Sequence, residues 1–300
     1  MLQSDRKTKR VPNRGYVYCC VLNTFFRRSF SYLWIIASLL CLLFVTAAGC
    51  STNVPFPGYA DNPISERETL VQISTIDALL AGIYDGVVTL ETLKRYGDFG
   101  IGTFEGLDGE MAGFDGSFYQ VKADGIAYPA SDSMETPFAS VTFFDSDCKA
   151  RLSEGMNYGQ LEKFLDGMLP TSNIFYAIKI EGTFSYMKTR SVPRQKKPYP
   201  PLVEVTKNQP VFEFGDVEGT MAGFRCPSYI NGVNVPGYHL HFLTENKDAG
   251  GHVLEFKTEE AVASLDYTSD FLMILPGEDS DFYLVDLTQD KEEELGEAEK

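Results

Sequence analysis

The stretch Gly237-Tyr-His-Leu-His-Phe-Leu-Thr-Glu-Asn-Lys-Asp-Ala-Gly-Gly-His252 contains His239, His241 and His252, the three histidines of a 300-residue chain. Side chains alternate faces along a β-strand, so His239 and His241 point the same way. Asp248-Ala-Gly-Gly251 has turn chemistry and predicts a chain reversal. A hairpin there returns His252 beside the first two on a partner strand. Three imidazoles on one face form a three-nitrogen site with a coordination position left open, the layout of a catalytic zinc. A lone histidine is more often a satisfied core or surface group, and a His-x-His pattern alone is weak. Three in one short window favour a metal.

Composition supports a fold built on strands. Tyr (16) and Phe (22) are plentiful and Gly is frequent (26), which favours strands and tight turns over a helical bundle. Net charge is −16, unevenly spread: residues 1–50 carry seven Lys/Arg and one acid, Asp5. The remainder has 19 bases against 41 acids, a net −22. Such a body repels nucleic acid and anionic lipid, so no nucleic-acid partner is expected.

The first fifty residues read as an export signal. Arg6, Lys7, Lys9, Arg10, Arg14, Arg27 and Arg28 precede an apolar run from Tyr32 that ends in Ala47-Ala48-Gly49-Cys50. That ending resembles a bacterial lipobox, in which the cysteine is acylated. The expected domains are therefore 1–50 lipoprotein-type signal, 51–66 flexible tether, 67–200 N-terminal sheet domain and 201–300 C-terminal sheet domain. An exported protein on the cell surface or in the periplasm follows, touching membrane only through its anchor. An uncleaved membrane anchor is the competing reading, and a start codon downstream of Met1 would instead leave the protein in the cytoplasm. Only Cys148 and Cys226 remain in the body. Two cysteines make no disulfide framework, and a pair or two buried thiols both fit.

Along the body, strands are expected at 70–74, through 101–121 and at 140–144, with a strand pair over 173–190. Helices are expected at 74–82, 89–97 and 159–169, the last with Leu161, Phe164, Leu165 and Leu169 on one face. Leu107-Asp-Gly-Glu-Met-Ala-Gly-Phe114 matches Val217-Glu-Gly-Thr-Met-Ala-Gly-Phe224, which suggests a duplicated sheet unit. Glu110 in the first copy stands where the second has Thr220. The fold class is α+β: two related mostly-β sheet domains with a few covering helices.

Several passages together resemble the α-acetolactate decarboxylases. They are Gly102-Thr-Phe-Glu-Gly-Leu-Asp-Gly-Glu-Met111, Phe175-Tyr-Ala-Ile-Lys-Ile-Glu-Gly182, Met187-Lys-Thr-Arg190, Lys197-Pro-Tyr-Pro-Pro-Leu202, Gly237-Tyr-His-Leu-His-Phe242 and Gly250-Gly-His-Val253. The resemblance runs from about Ser74 to the C-terminus and implies conversion of 2-acetolactate to acetoin and carbon dioxide. It places His239, His241 and His252 on the family's Zn2+ ligands, Glu110 on its active-site glutamate and Arg190 on its active-site arginine. A glutamate near the C-terminus returns to the metal in this family. Glu299 is the match, with Glu297 the alternative, and Thr103 is a weaker candidate for lining the pocket. From residue type alone, Glu110 would be a turn carboxylate and Arg190 a surface strand residue. Family members are commonly dimeric, so a homodimer is implied. The rival readings are a cupin-like metal oxygenase or isomerase and a metal-binding surface lipoprotein without turnover; His239-Leu-His241, three intervening residues and Glu245 imitate a cupin motif, but His252 follows too soon for a cupin, which leaves Glu245 a surface acid beside the turn.

Overall fold

The computed structural model describes residues 68–299. In chain order the strands and helices are β1 (Thr69–Ile73), α1 (Ile76–Leu80), β2 (Val88–Thr89), α2 (Leu90–Leu93), β3 (Phe99–Thr103), β4 (Glu110–Phe114), β5 (Ser117–Val121), β6 (Ala127–Pro129), β7 (Glu135–Thr136), β8 (Ala139–Thr142) and β9 (Cys148–Leu152). Then come α3 (Tyr158–Asp166), β10 (Phe175–Arg190), α4 (Leu202–Thr206), β11 (Val211–Cys226), β12 (Gly237–Thr244), β13 (Gly250–Thr268), β14 (Asp270–Ile274) and α5 (Glu292–Ala298). The architecture is the expected α+β, dominated by two sheets. The signal and tether, residues 1–66, lie outside the described residues.

One sheet has seven strands in the order β14-β1-β8-β3-β4-β5-β6. The other runs β10-β11-β12-β13-β9, and β10 also pairs with β13, so β10 to β13 close on themselves as a small barrel. These sheets do not divide at residue 200. β9 and β10 precede that position yet belong to the second sheet, and β14 follows it yet pairs in parallel with β1 of the first. The proline-rich stretch Gln195-Lys-Lys-Pro-Tyr-Pro-Pro201, which marks the expected boundary, instead packs on the body: Tyr84 donates its hydroxyl proton to the Pro200 carbonyl at 2.9 Å, and its ring lies 5.1 Å from that of Tyr199.

Alternation assigns the faces. Leu240 and Phe242 of β12 enter the barrel core with Ile178, Ile180, Phe184 and Phe256. That core is covered by Leu161 and Leu165 of α3. On the other face of β12, Leu243 joins a core between the sheets with Ala112, Phe114, Ala222 and Phe224. The two Met-Ala-Gly-Phe copies therefore both turn Ala and Phe into one intersheet layer, each from a different sheet. His239 and His241 have the parity of Leu243 and face the same layer.

Local chemistry explains the helix starts. Thr75 caps α1 by accepting the Ala78 N–H, Thr89 caps α2, and Asn157 forms a capping box with Gln160 ahead of α3. The second helix is shorter than expected and ends at Leu93. The expected strand pair over 173–190 is one continuous strand, β10. Gly182 (φ +153°) is not a turn: a Cβ there would stand 2.1 Å from the Glu260 carbonyl oxygen, so glycine lets β13 approach.

Candidate active site

The hairpin forms as expected, with His241 of β12 directly opposite His252 of β13. Nε2 of His239 lies 3.1 Å from Nδ1 of His252 and 3.2 Å from Nε2 of His241. Nδ1 of His241 lies 2.7 Å from the Met111 carbonyl oxygen. A carbonyl only accepts, so that nitrogen carries the proton and the Nε2 lone pair points into the cluster. All three rings are buried. Burial holds each imidazole neutral: His239 is lowered to about 3, with Arg190 acting in the same direction, and His241 and His252 fall well below the usual range.

Three neutral nitrogens converging this closely fit a metal ion. Ligands about 2.05 Å from a tetrahedral zinc stand roughly 3.3 Å apart, close to the spacings seen here. The donor set is all imidazole, which suits zinc and also nickel, copper or iron.

The structure brings the distant residues to this cluster. Glu110 opens β4, with Oε2 3.6 Å from Nε2 of His241 and Oε1 3.5 Å from the Arg190 guanidinium. Arg190, the last residue of β10, stands opposite His252 in register. It donates to the Ala298 carbonyl at 2.7 Å, and its Nε is buried without a protein partner. Glu299 follows α5 and puts Oε2 3.7 Å from Nε2 of both His239 and His252. Glu297 is exposed on that segment and does not line the cavity. Burial pushes the Glu110 carboxyl up to about 7, opposed by Arg190 and reinforced by Glu299. Burial also raises Glu299, again against Arg190.

The cavity at the cluster is about 40 Å³, walled by Ile76, Leu79, Leu107, Phe138, Val192 and Leu202 in addition to the polar groups. Thr103 lines it too, its hydroxyl committed to the Gly109 carbonyl at 2.7 Å. Sequence reasoning missed the apolar wall and the Met111 carbonyl. Apolar residues carry no site signal in a sequence, although Met111 adjoins Glu110 inside a motif already singled out. Glu245 is exposed in the turn after β12 and is absent from the cavity, so it is no fourth ligand. Cys148 and Cys226 are free, the latter buried.

The alpha-acetolactate decarboxylase family model matches residues 70–289. The chain is 57% identical over 233 residues to an alpha-acetolactate decarboxylase of Methanosarcina mazei, covering 78% of this chain and 81% of that one. It is 44% identical over 230 residues to the Bacillus subtilis protein of the same description, covering 77% and 89%. The crystal structure of alpha-acetolactate decarboxylase from Bacillus subtilis strain 168 matches with a TM-score of 0.75 at 42% identity, over 77% of this chain and 98% of that one. The fold thus has a solved counterpart in an alpha-acetolactate decarboxylase. This chain belongs to the alpha-acetolactate decarboxylase family.

Proposed function

We propose that this chain converts 2-acetolactate to acetoin and carbon dioxide, with Zn2+ held by His239, His241 and His252. The observation that carries the reading is the convergence of Glu110, Arg190 and Glu299, from three separate parts of the chain, on three buried neutral imidazoles. Loss of carbon dioxide leaves an electron pair on a carbon beside a carbonyl, and that charge must be held until a proton arrives. When bound, the divalent cation supplies Lewis acidity for that purpose. The protein supplies the rest. Arg190 has an unpaired buried donor at Nε and orients the substrate carboxylate by charge-assisted hydrogen bonding. Glu110 beside His241, or Glu299 beside His239 and His252, delivers the proton to the carbanionic carbon. Glu299 is the second carboxyl within reach, on the side of His239 and His252. The apolar wall excludes water and receives the methyl groups.

Formation of acetoin from racemic acetolactate by purified protein, with metal analysis of the same sample, tests this. Loss of both metal and turnover in His252→Ala supports it, and retention of full metal and activity refutes it. A non-catalytic binding protein would take up metal and yield no acetoin. The N-terminal reading remains part of the proposal: export, with Cys50 as lipid anchor. Among the described residues no helix is long and apolar enough to cross a membrane. Intact mass of the mature N-terminus and cell fractionation test the anchor, and sedimentation tests the homodimer.

A further inference from the structure

Regular alternation along β13 would send His252 to the wrong face. Counting back from Phe256 in the barrel core, it places Leu254 and His252 in that core as well. In the structure Val253 is the residue that joins Phe256 there, and His252 stands opposite Arg190 on the intersheet face. Parity changes at Leu254, which the pairing skips: Lys188 pairs with Glu255, but Thr189 pairs with Val253. One extra residue on one strand is a β-bulge, a device that re-aims side chains. Without it a one-residue slip would exchange a ligand for a valine.

Two contacts hold the bulge where it is. Thr189 is fully buried, and its hydroxyl donates to the Gly250 carbonyl at 2.7 Å. Gly251 (φ +132°) runs so close to β10 that a Cβ would stand 2.3 Å from the Arg190 carbonyl oxygen. Neither residue lines the cavity. Together they tie the turn of the histidine hairpin to the strand that ends in Arg190.

We propose that Thr189 is a positioning residue for His252: its hydroxyl clasps the Gly250 carbonyl and fixes the bulge that turns His252 toward His239, His241 and Arg190. The inference rests on the three histidines being metal ligands. Thr189→Val keeps the shape and removes the hydroxyl, whereas Thr189→Ser keeps the hydroxyl.

The test is titration of chelator-stripped protein with Co2+, read by its d–d absorption, followed by competition with Zn2+ and by thermal unfolding of the metal-free form. Thr189→Ser is expected to match the parent. Thr189→Val is expected to unfold cooperatively, show an altered d–d spectrum and bind about 10- to 100-fold more weakly, the usual effect of losing a group that supports a ligand. Parental affinity and spectrum in Thr189→Val overturn the proposal. Equal weakening in Thr189→Ser also overturns it, since volume and not the hydroxyl would then matter. Gly251→Ala probes the clasp from the other strand should Thr189→Val fail to fold; weakened binding there supports the proposal, and parental affinity overturns it. Parent protein that takes up neither ion overturns the metal reading itself, an outcome distinct from a failure confined to Thr189.

Discussion

Replacing Arg190 is the sharpest perturbation of the site. The residue is 4% exposed and Glu110 is 7% exposed, so neither charge has water to fall back on. Their closest atoms are 3.5 Å apart. At an effective dielectric near 20, that pair attracts by about 5 kcal/mol before desolvation is counted. Removing one partner of a buried pair costs about 3–5 kcal/mol. Part of that cost is relieved here. Glu110 already sits near pKa 7, and without Arg190, which pulls it down, it takes up a proton at neutral pH. Arg190→Ala should therefore fold, losing stability at the lower end of that range. Catalysis suffers more. Losing a buried charged hydrogen-bonding partner costs about 2–5 kcal/mol, a roughly 30- to 5,000-fold drop in kcat/KM at 1.36 kcal/mol per tenfold. Arg190→Lys keeps the charge but not the planar fork, and should fall between alanine and parent. The assay is the initial rate of acetoin formation over a range of acetolactate concentrations at pH 7, with metal content and melting temperature measured on the same protein. Arg190→Ala with full metal and kcat/KM within tenfold of the parent would refute the carboxylate-anchor argument.

Other outcomes follow from the same geometry. Glu299→Gln should lower kcat by about 10²-fold or more, the scale of a lost proton-transfer group, whereas Glu297→Gln should leave it unchanged; steady-state rates of the two variants discriminate the tail glutamates. Chelation should lower the melting temperature. An ion present at 1,000 times its Kd adds about 4 kcal/mol, or roughly 8–16 °C at 2–4 °C per kcal/mol for a chain of this size, and calorimetry with and without chelator measures it. Asp266, 1% exposed, tests the pH dependence of stability away from the site. Burial pushes its carboxyl up to about 7, its neighbours Asp147, Glu68 and Asp145 add to this, and the Asp145 N–H opposes it. A folded-state value raised above 3.8 means that the native form keeps a proton the unfolded form has released, so stability falls as pH rises between about 4 and 7. Asp266→Asn should thus equal the parent near pH 4 and exceed it at pH 8; urea melts at both pH values would show the opposite order if the reasoning fails.

Much of this protein was legible in its sequence because the relevant signals are local. A hairpin carrying His-x-His needs only a period of two and an Asp-Ala-Gly-Gly turn. The caps at Thr75 and Thr89 act over three residues. The failures share a cause as well. The strand pair expected over 173–190 is a single strand, because Gly182 serves a close approach by β13, a partner some eighty positions away. A division at residue 200 looks natural beside a proline-rich stretch, yet β9, β10 and β14 each pair across it, since strand pairing is set by long-range packing and not by sequence order.

The sequence by itself singled out the three-histidine window, because a His-x-His strand followed by an Asp-Ala-Gly-Gly turn brings His252 back beside it, and it supplied the motifs that drew attention to Glu110 and Arg190. Tertiary structure alone decided three things. It selected Glu299 over Glu297, since only the fold of α5 against the cavity distinguishes two glutamates two residues apart. It proved necessary for the Met111 carbonyl that sets the His241 tautomer, because β4 and β12 meet only when the two sheets pack. And it placed His252 on the site face through a bulge that no alternation rule predicts, because the parity of β13 is fixed by its contacts with β10 and not by its own residues.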